Sequence, residues 1–155
     1  MYQKIMVPLD GSELAECVLP HVETIAQAGG VRNVLFVRAV EPFSMSPVRG
    51  EPDFTEEQIK EIDSRTLAAA KKYLDQLGSR LDYGKVNIQK EVLTGRVAES
   101  LADYATKNEV GLIVIATHGR SGVSRWVWGS VADRLLHSSC VPVLMVRAPG
   151  CIPSI

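Results

Sequence analysis

A chain of 155 residues, 46% hydrophobic and 23% charged, is long enough for one domain with a full core. Its net charge of −1, with no run of five like charges, argues against a nucleic-acid partner or a polybasic membrane anchor. The opening MYQKIMVPLD lacks the apolar centre of a secretory leader, and no apolar run approaches the ~18 residues of a membrane span. Cys17, Cys140 and Cys151 are too scattered for a disulfide framework or a metal knuckle, so the cytoplasm is the default compartment.

Lys4 to Leu9 (KIMVPL) is predicted as a first strand, ending at Asp10-Gly11-Ser12. Ser12 suits the N-cap of a helix whose Leu14, Val18, Val22 and Ile25 recur at helical spacing, until Gly29-Gly30 stop it. On that helix Cys17 is expected in the core and His21 in helix packing rather than in a ligand set. Asn33 to Val40 (NVLFVRAV) is a second strand, nearly continuous in β-branched and aromatic residues. After a proline-rich loop from Glu41 to Asp53, Thr55-Glu56-Glu57-Gln58 has capping-box spacing and opens a helix running to about Leu81. Ile59, Ile62, Thr66, Ala69, Tyr73 and Leu77 are its expected buried stripe.

Val86 to Leu93 alternates apolar and polar positions, as a strand near a sheet edge does. Thr94-Gly95 turns into a helix from Val97 to Lys107, with Val97, Leu101 and Tyr104 facing inward. Then comes the stretch around which the chain is organised, GLIVIATHGRSGVSRWVWGS from Gly111 to Ser130. Leu112 to Ala116 is a short apolar run suited to a strand buried on both faces. A loop with Gly119, Gly122 and Gly129 follows, and Ser130 opens a helix with Val131, Leu135 and Leu136 on one side. Glycines let a backbone approach a ligand closely, and a helix N-terminus offers unpaired N–H groups, so this loop suits phosphate. Arg120 and Ser121 add donors to it. The last helix ends near Ser138, Val141 to Arg147 is a fifth strand that Pro142 confines to an edge, and residues 148–155 form a tail.

The pattern βαβαβαβαβ predicts a single α/β domain over residues 1–147: a five-stranded parallel sheet with helices on both faces, Rossmann-like. Placing the most apolar strands centrally favours the order 3-2-1-4-5, which reverses between strands one and four. Ligands bind at such a reversal, beyond the carboxyl ends of the strands. Here those ends are Pro8-Leu9-Asp10 and Ala116-Thr117-His118-Gly119. Asp10 is placed to accept from a ribose hydroxyl or to support a metal near phosphates, or else to serve as a turn residue. Ala39 and Val40 are placed to offer backbone groups to an adenine edge, and Ser130 to bind phosphate or cap its helix. His118 has neither a second carboxylate nor a nucleophile beside it in the motif, which favours a loop-anchoring role over that of a general base.

These motifs carry a resemblance. KIMVPLDGSE at the start, Gly95 after strand three, IATHGRSGVSRWVWGSVADRLL and the closing SSCVPVLMVR resemble the universal stress protein family over residues 2 to 147. The resemblance implies a 3-2-1-4-5 fold, a homodimer formed through the fifth strand (Val141 to Arg147), and regulatory protein partners in stress adaptation. One branch of the family binds ATP through Gly-x-x-Gly-x(9)-Gly-Ser/Thr, matched here by Gly119, Gly129 and Ser130, with Ala116 in the first glycine position. By resemblance Pro8, Leu9, Asp10, Ala39, Gly119, Gly129, Ser130 and Val131 line a site for ATP, with or without Mg²⁺. An efficient enzyme is not expected, because no Walker lysine and no Ser-Gly-Gly loop occur. A weak ATPase and an interaction module without nucleotide are the alternatives.

Overall fold

The five predicted strand segments become five parallel strands in the computed structural model, which describes residues 2–28, 30–43, 54–117 and 130–148. They are β1 (Lys4–Pro8), β2 (Asn33–Val40), β3 (Asn87–Thr94), β4 (Leu112–Thr117) and β5 (Val143–Arg147). Their order is β3-β2-β1-β4-β5, the order expected from placing the most apolar strands at the centre. Period-two alternation divides the core into two halves. Ile5, Val7, Val34, Phe36, Leu112 and Val114 face one side of the sheet, where they meet the first two helices. Met6, Leu35, Val37, Ile113 and Ile115 face the other, where the last two helices pack. Because β1, β2 and β4 are covered on both faces, they lack the polar alternation of a half-solvated strand. Truncating a fully buried side chain such as Ile113 to alanine therefore costs about 2–5 kcal/mol.

The first crossover differs from a continuous helix. Ala15–Val18 is a 3₁₀ turn, and α1 begins only at Leu19, running to Gln27. Pro20 is the reason: it has no N–H to donate four residues back, and it sits at the first turn of α1, where that loss is harmless. Ser12 is not the N-cap, a position that falls at Leu14, yet its Oγ accepts from the Ala15 N–H at 3.1 Å and so satisfies a donor at the start of the 3₁₀ turn. Cys17 packs half-buried against the core, and burial raises its thiol pKa. His21 does not pack as expected; it lies on the solvent side of α1.

α2 spans Glu56–Arg80 and carries both arms of the capping box: the Gln58 N–H donates to Thr55 Oγ1 (3.3 Å) and the Thr55 N–H to Gln58 Oε1 (2.9 Å). Its 25 residues span about 37 Å, against about 26 Å for the eight-residue β2 beside it. One half must therefore overhang the sheet, and only Ala70, Leu74 and Leu77 are fully buried. Thr66 and Ala69, expected in the stripe, are exposed, because the buried face runs through Ala70, Leu74 and Leu77 instead.

On the opposite face α3 (Val97–Lys107) buries Ala98, Leu101, Ala102 and Ala105, and α4 (Ser130–Ser138) buries Ala132 and Leu135. Leu136 turns outward and is 42% exposed, contrary to its expected place beside Leu135. β5 starts two residues later than its apolar run. The Val141 N–H is taken by Ser139 Oγ (3.0 Å) and Pro142 has none, though its carbonyl still accepts from Ile113 (2.9 Å).

Candidate functional site

The crossovers after β1 and β2 run over one face and those after β3 and β4 over the other, so the chain parts between β1 and β4. At the carboxyl ends of these strands lies a cavity of about 260 Å³. Its floor is Pro8, Leu9, Val37, Ala39, Ile115 and Ala116 from the three central strands. Leu14 and Ala15 close one side, and Val97 and Leu101 of α3 and Val131 and Ala132 of α4 the other. Among the described residues the walls are almost wholly aliphatic, and Asp10 is the one ionisable side chain on them. Concave apolar walls with few polar groups are the usual make-up of a small-molecule site.

The strand ends provide its polar edge. In a parallel ladder the N–H and C=O of one residue point to the same neighbour, and those of the next to the other. The Leu9 N–H donates to the Val37 carbonyl (2.9 Å), and among the described residues this is the last main-chain bond from β1 to β2. Ala39, two residues on, presents its amide edge on that same side, where β1 has already ended. The Val40 carbonyl points the other way and accepts from the Gly95 N–H (3.0 Å), so it is committed to the fold.

Asp10 stands at the rim on a tight turn. Its Oδ1 accepts from the Ser12 N–H (2.9 Å) and from Ser12 Oγ (2.6 Å), so the expected turn role is present. Gly11 between them has φ +88°, a conformation that side chains disfavour. Behind this turn, on the face away from the α3 wall, Arg38 lays its guanidinium over the Tyr73 ring at 5.3 Å. The Tyr73 hydroxyl donates to Glu16 (3.0 Å), which also receives Arg80 (3.2 Å). Burial, then the bond to the Glu16 carboxylate, push the Tyr73 phenol well above its ordinary pKa. Sequence reasoning missed this cluster; its one visible signal was an arginine inside the apolar run of β2.

Of the expected site residues, Pro8, Leu9, Asp10, Ala39, Ala116 and Val131 are brought together on the cavity wall. Ser130 is the first residue of α4. His118, Gly119, Arg120, Gly122 and Gly129 lie outside the described residues. Val97 and Leu101 were read only as core, although the bend at Gly95 (φ +139°) directs α3 across the strand ends. Ala116 belongs to β4 itself, paired with Val146, and its methyl lies on the side of Leu9 and Ala15. Among the described residues no helix is long and apolar enough to cross a membrane.

The model of the Universal stress protein family matches residues 1–147. The chain belongs to the universal stress protein family. Among related family members is Universal stress protein MJ0531 of Methanocaldococcus jannaschii, 32% identical over 150 residues that cover 96% of this chain and 84% of that one. The fold is that of protein MJ0577 of the same organism, with TM-score 0.79, 24% identity and coverage of 97% and 99% of the two chains. Two further family structures contain nucleotides. One is a universal stress protein in complex with cAMP (TM-score 0.63, 20% identity, 95% and 98% covered). The other is an Arabidopsis thaliana family member with AMP bound (TM-score 0.64, 12% identity, 96% and 93% covered).

Proposed function

We propose that this family member is a nucleotide-binding regulatory protein of the stress response, acting in the cytoplasm as a homodimer that holds ATP without turning it over efficiently. The observation that carries the reading is the aliphatic cavity at the β1/β4 switch point, with a carboxylate at its rim and a main-chain amide edge at its floor. A purine is flat, apolar on its faces and hydrogen-bonding at its edge. Val37, Ile115 and Leu101 suit the faces and Ala39 the edge. Asp10 is an acceptor suited to sugar hydroxyls. The first turn of α4 at Ser130, with Gly119 and Gly129 before it, suits phosphate, because helix N-termini carry unpaired N–H groups. The residues on the wall fit an adenosine group, and the relatives with cAMP and AMP bound support the same class of ligand. ATP, with or without Mg²⁺, would bring its own charge to the α4 end; among the described residues of the cavity wall Asp10 alone is ionisable.

The dimer reading rests on β5, an edge strand whose Leu144 is 39% exposed. Edge strands present unpaired backbone groups and are ready templates for another chain. Regulatory partner proteins complete the role. Ala116 favours one second reading, a stress module that binds partners and no nucleotide, because its methyl stands on the cavity wall where the ATP-binding pattern has glycine. Mass analysis of small molecules released from the purified protein separates the two. An adenine nucleotide at near-stoichiometric amount supports the first reading; its absence after incubation at millimolar ATP supports the second.

A further inference from the structure

We propose that Arg38 is a positioning residue of this site: its guanidinium, over the Tyr73 ring and beside Gly11, sets where the Asp10 carboxylate meets the sugar hydroxyls of a nucleotide. The inference rests on reading the cavity as a nucleotide site. Arg38 lies on β2 beyond the last β1 pair, Pro8 with Val37, and on the opposite face from the α3 wall. A Cβ added at Gly11 would come within 2.9 Å of Arg38 Nη1 and 3.2 Å of Cζ. The guanidinium therefore lies beside Gly11, on the side where a side chain would project. Glycine is required there by φ +88°, and a side chain added at that position would also displace the guanidinium.

On its other side the guanidinium is seated on Tyr73, and Tyr73 is anchored through Glu16, itself held by Arg80. This stack joins α2 to the strand-one turn and fixes how far the turn can move back. On the ligand side the turn is closed by the two bonds from Ser12 to Asp10. Burial and Glu16 dominate the raised pKa of the Tyr73 phenol, with smaller opposing contributions from Asp10 and Arg38, so both charged groups lie within electrostatic reach of the ring. An arginine suits this place better than a lysine, because its broad, delocalised guanidinium can face the ring and the Gly11 turn together. Removing it leaves a space behind Gly11, and a shift of the carboxylate by a fraction of an ångström weakens hydroxyl contacts without changing the apolar base pocket.

The test compares ATP with 2′,3′-dideoxy-ATP by isothermal titration in the full chain, in Arg38→Met and in Tyr73→Leu. With hydroxyls accepted by an ionised carboxylate, the unaltered protein should favour ATP by about tenfold or more. Arg38→Met, which keeps the aliphatic stem, should lower that ratio to about threefold or less while dideoxy-ATP binds as before; Tyr73→Leu should lower it in part. A general loss of structure would weaken both ligands together and leave the ratio alone. Should Arg38→Met fail to fold, Tyr73→Leu decides. An unchanged ratio in the folded variants overturns the role of Arg38 while the cavity reading stands. Equal affinities in the unaltered protein overturn it too, since Asp10 then meets no hydroxyl. No binding of either nucleotide overturns the cavity reading itself.

Discussion

Tyr83 gives a prediction whose magnitude follows from the fold. Its side chain is 5% exposed and its ring stands 6.4 Å from that of Phe36. Its hydroxyl makes no hydrogen bond among the described residues. A buried donor without a partner costs about 1–3 kcal/mol of desolvation. Tyr83→Phe removes that cost and leaves a void of about one oxygen atom, a few tenths of a kcal/mol at ~24 cal/mol per Å³. The expected net effect is a stabilisation of about 1 kcal/mol, or roughly 2–4 °C in Tm for a domain of this size. Urea unfolding at pH 7, followed by circular dichroism with the m-value unchanged, measures it. Alkaline pH adds a second signature. Burial, then the charge of Glu23, raise the Tyr83 pKa from 10.0 to about 12. A group raised in the folded state contributes stability that is whole below the unfolded pKa and is lost as pH climbs through the folded one. The unaltered protein should therefore lose stability from about pH 10 to about 12 at this residue, and Tyr83→Phe should lack that component. A destabilisation of about 1 kcal/mol or more at pH 7 would refute the reasoning, because it would mean the hydroxyl is satisfied.

Thr55→Ala removes the Oγ1 acceptor of the capping box at α2, leaving the main-chain bond from residue 55 to Gln58 Oε1, and should cost about 1 kcal/mol in the same unfolding assay; no loss would mean the overhanging half of α2 contributes little to the folded state. Leu144→Lys places a charge on the exposed β5 edge and should shift a dimer to monomer in light scattering after size exclusion, with secondary structure intact; a persisting dimer would move the interface off β5. Ala116→Gly should lower fold stability by about 0.5–1 kcal/mol, since glycine in a strand loses backbone entropy, while ATP affinity stays equal or rises. A fall in affinity would make the methyl a ligand contact rather than an obstacle.

The architecture was readable because periodicity and burial agree. The unbroken apolar runs of β1, β2 and β4 can only be central, and the alternation in β3 and Pro142 before β5 mark two edges. That ordering placed the switch point, and with it Asp10, Ala39 and Ala116, while Val131 came with the family resemblance. What periodicity could not supply was the choice of buried face and local chemistry. The stripe of α2 is helical in pattern through Thr66 and Ala69, yet the buried face runs through Ala70, Leu74 and Leu77 instead. Leu136 is apolar but turns outward, since helical spacing identifies a stripe without saying how wide it is. Val97 and Leu101 looked like core because a cavity wall and a core face obey the same rule. Arg38 was invisible as a neighbour of Gly11, for the two are brought together from far apart in the chain through the stacking of β2 under a turn.

Titration of the purified protein with ATP, with and without Mg²⁺, while thermal unfolding is followed, tests most directly whether an adenine nucleotide occupies the switch-point cavity. Binding at 100 times the dissociation constant should stabilise by about 2.7 kcal/mol, and the gain should shrink when a bulky charge replaces Val37 on the cavity floor. An unfolding curve unmoved by millimolar ATP, in a protein stripped of any copurified ligand, contradicts it.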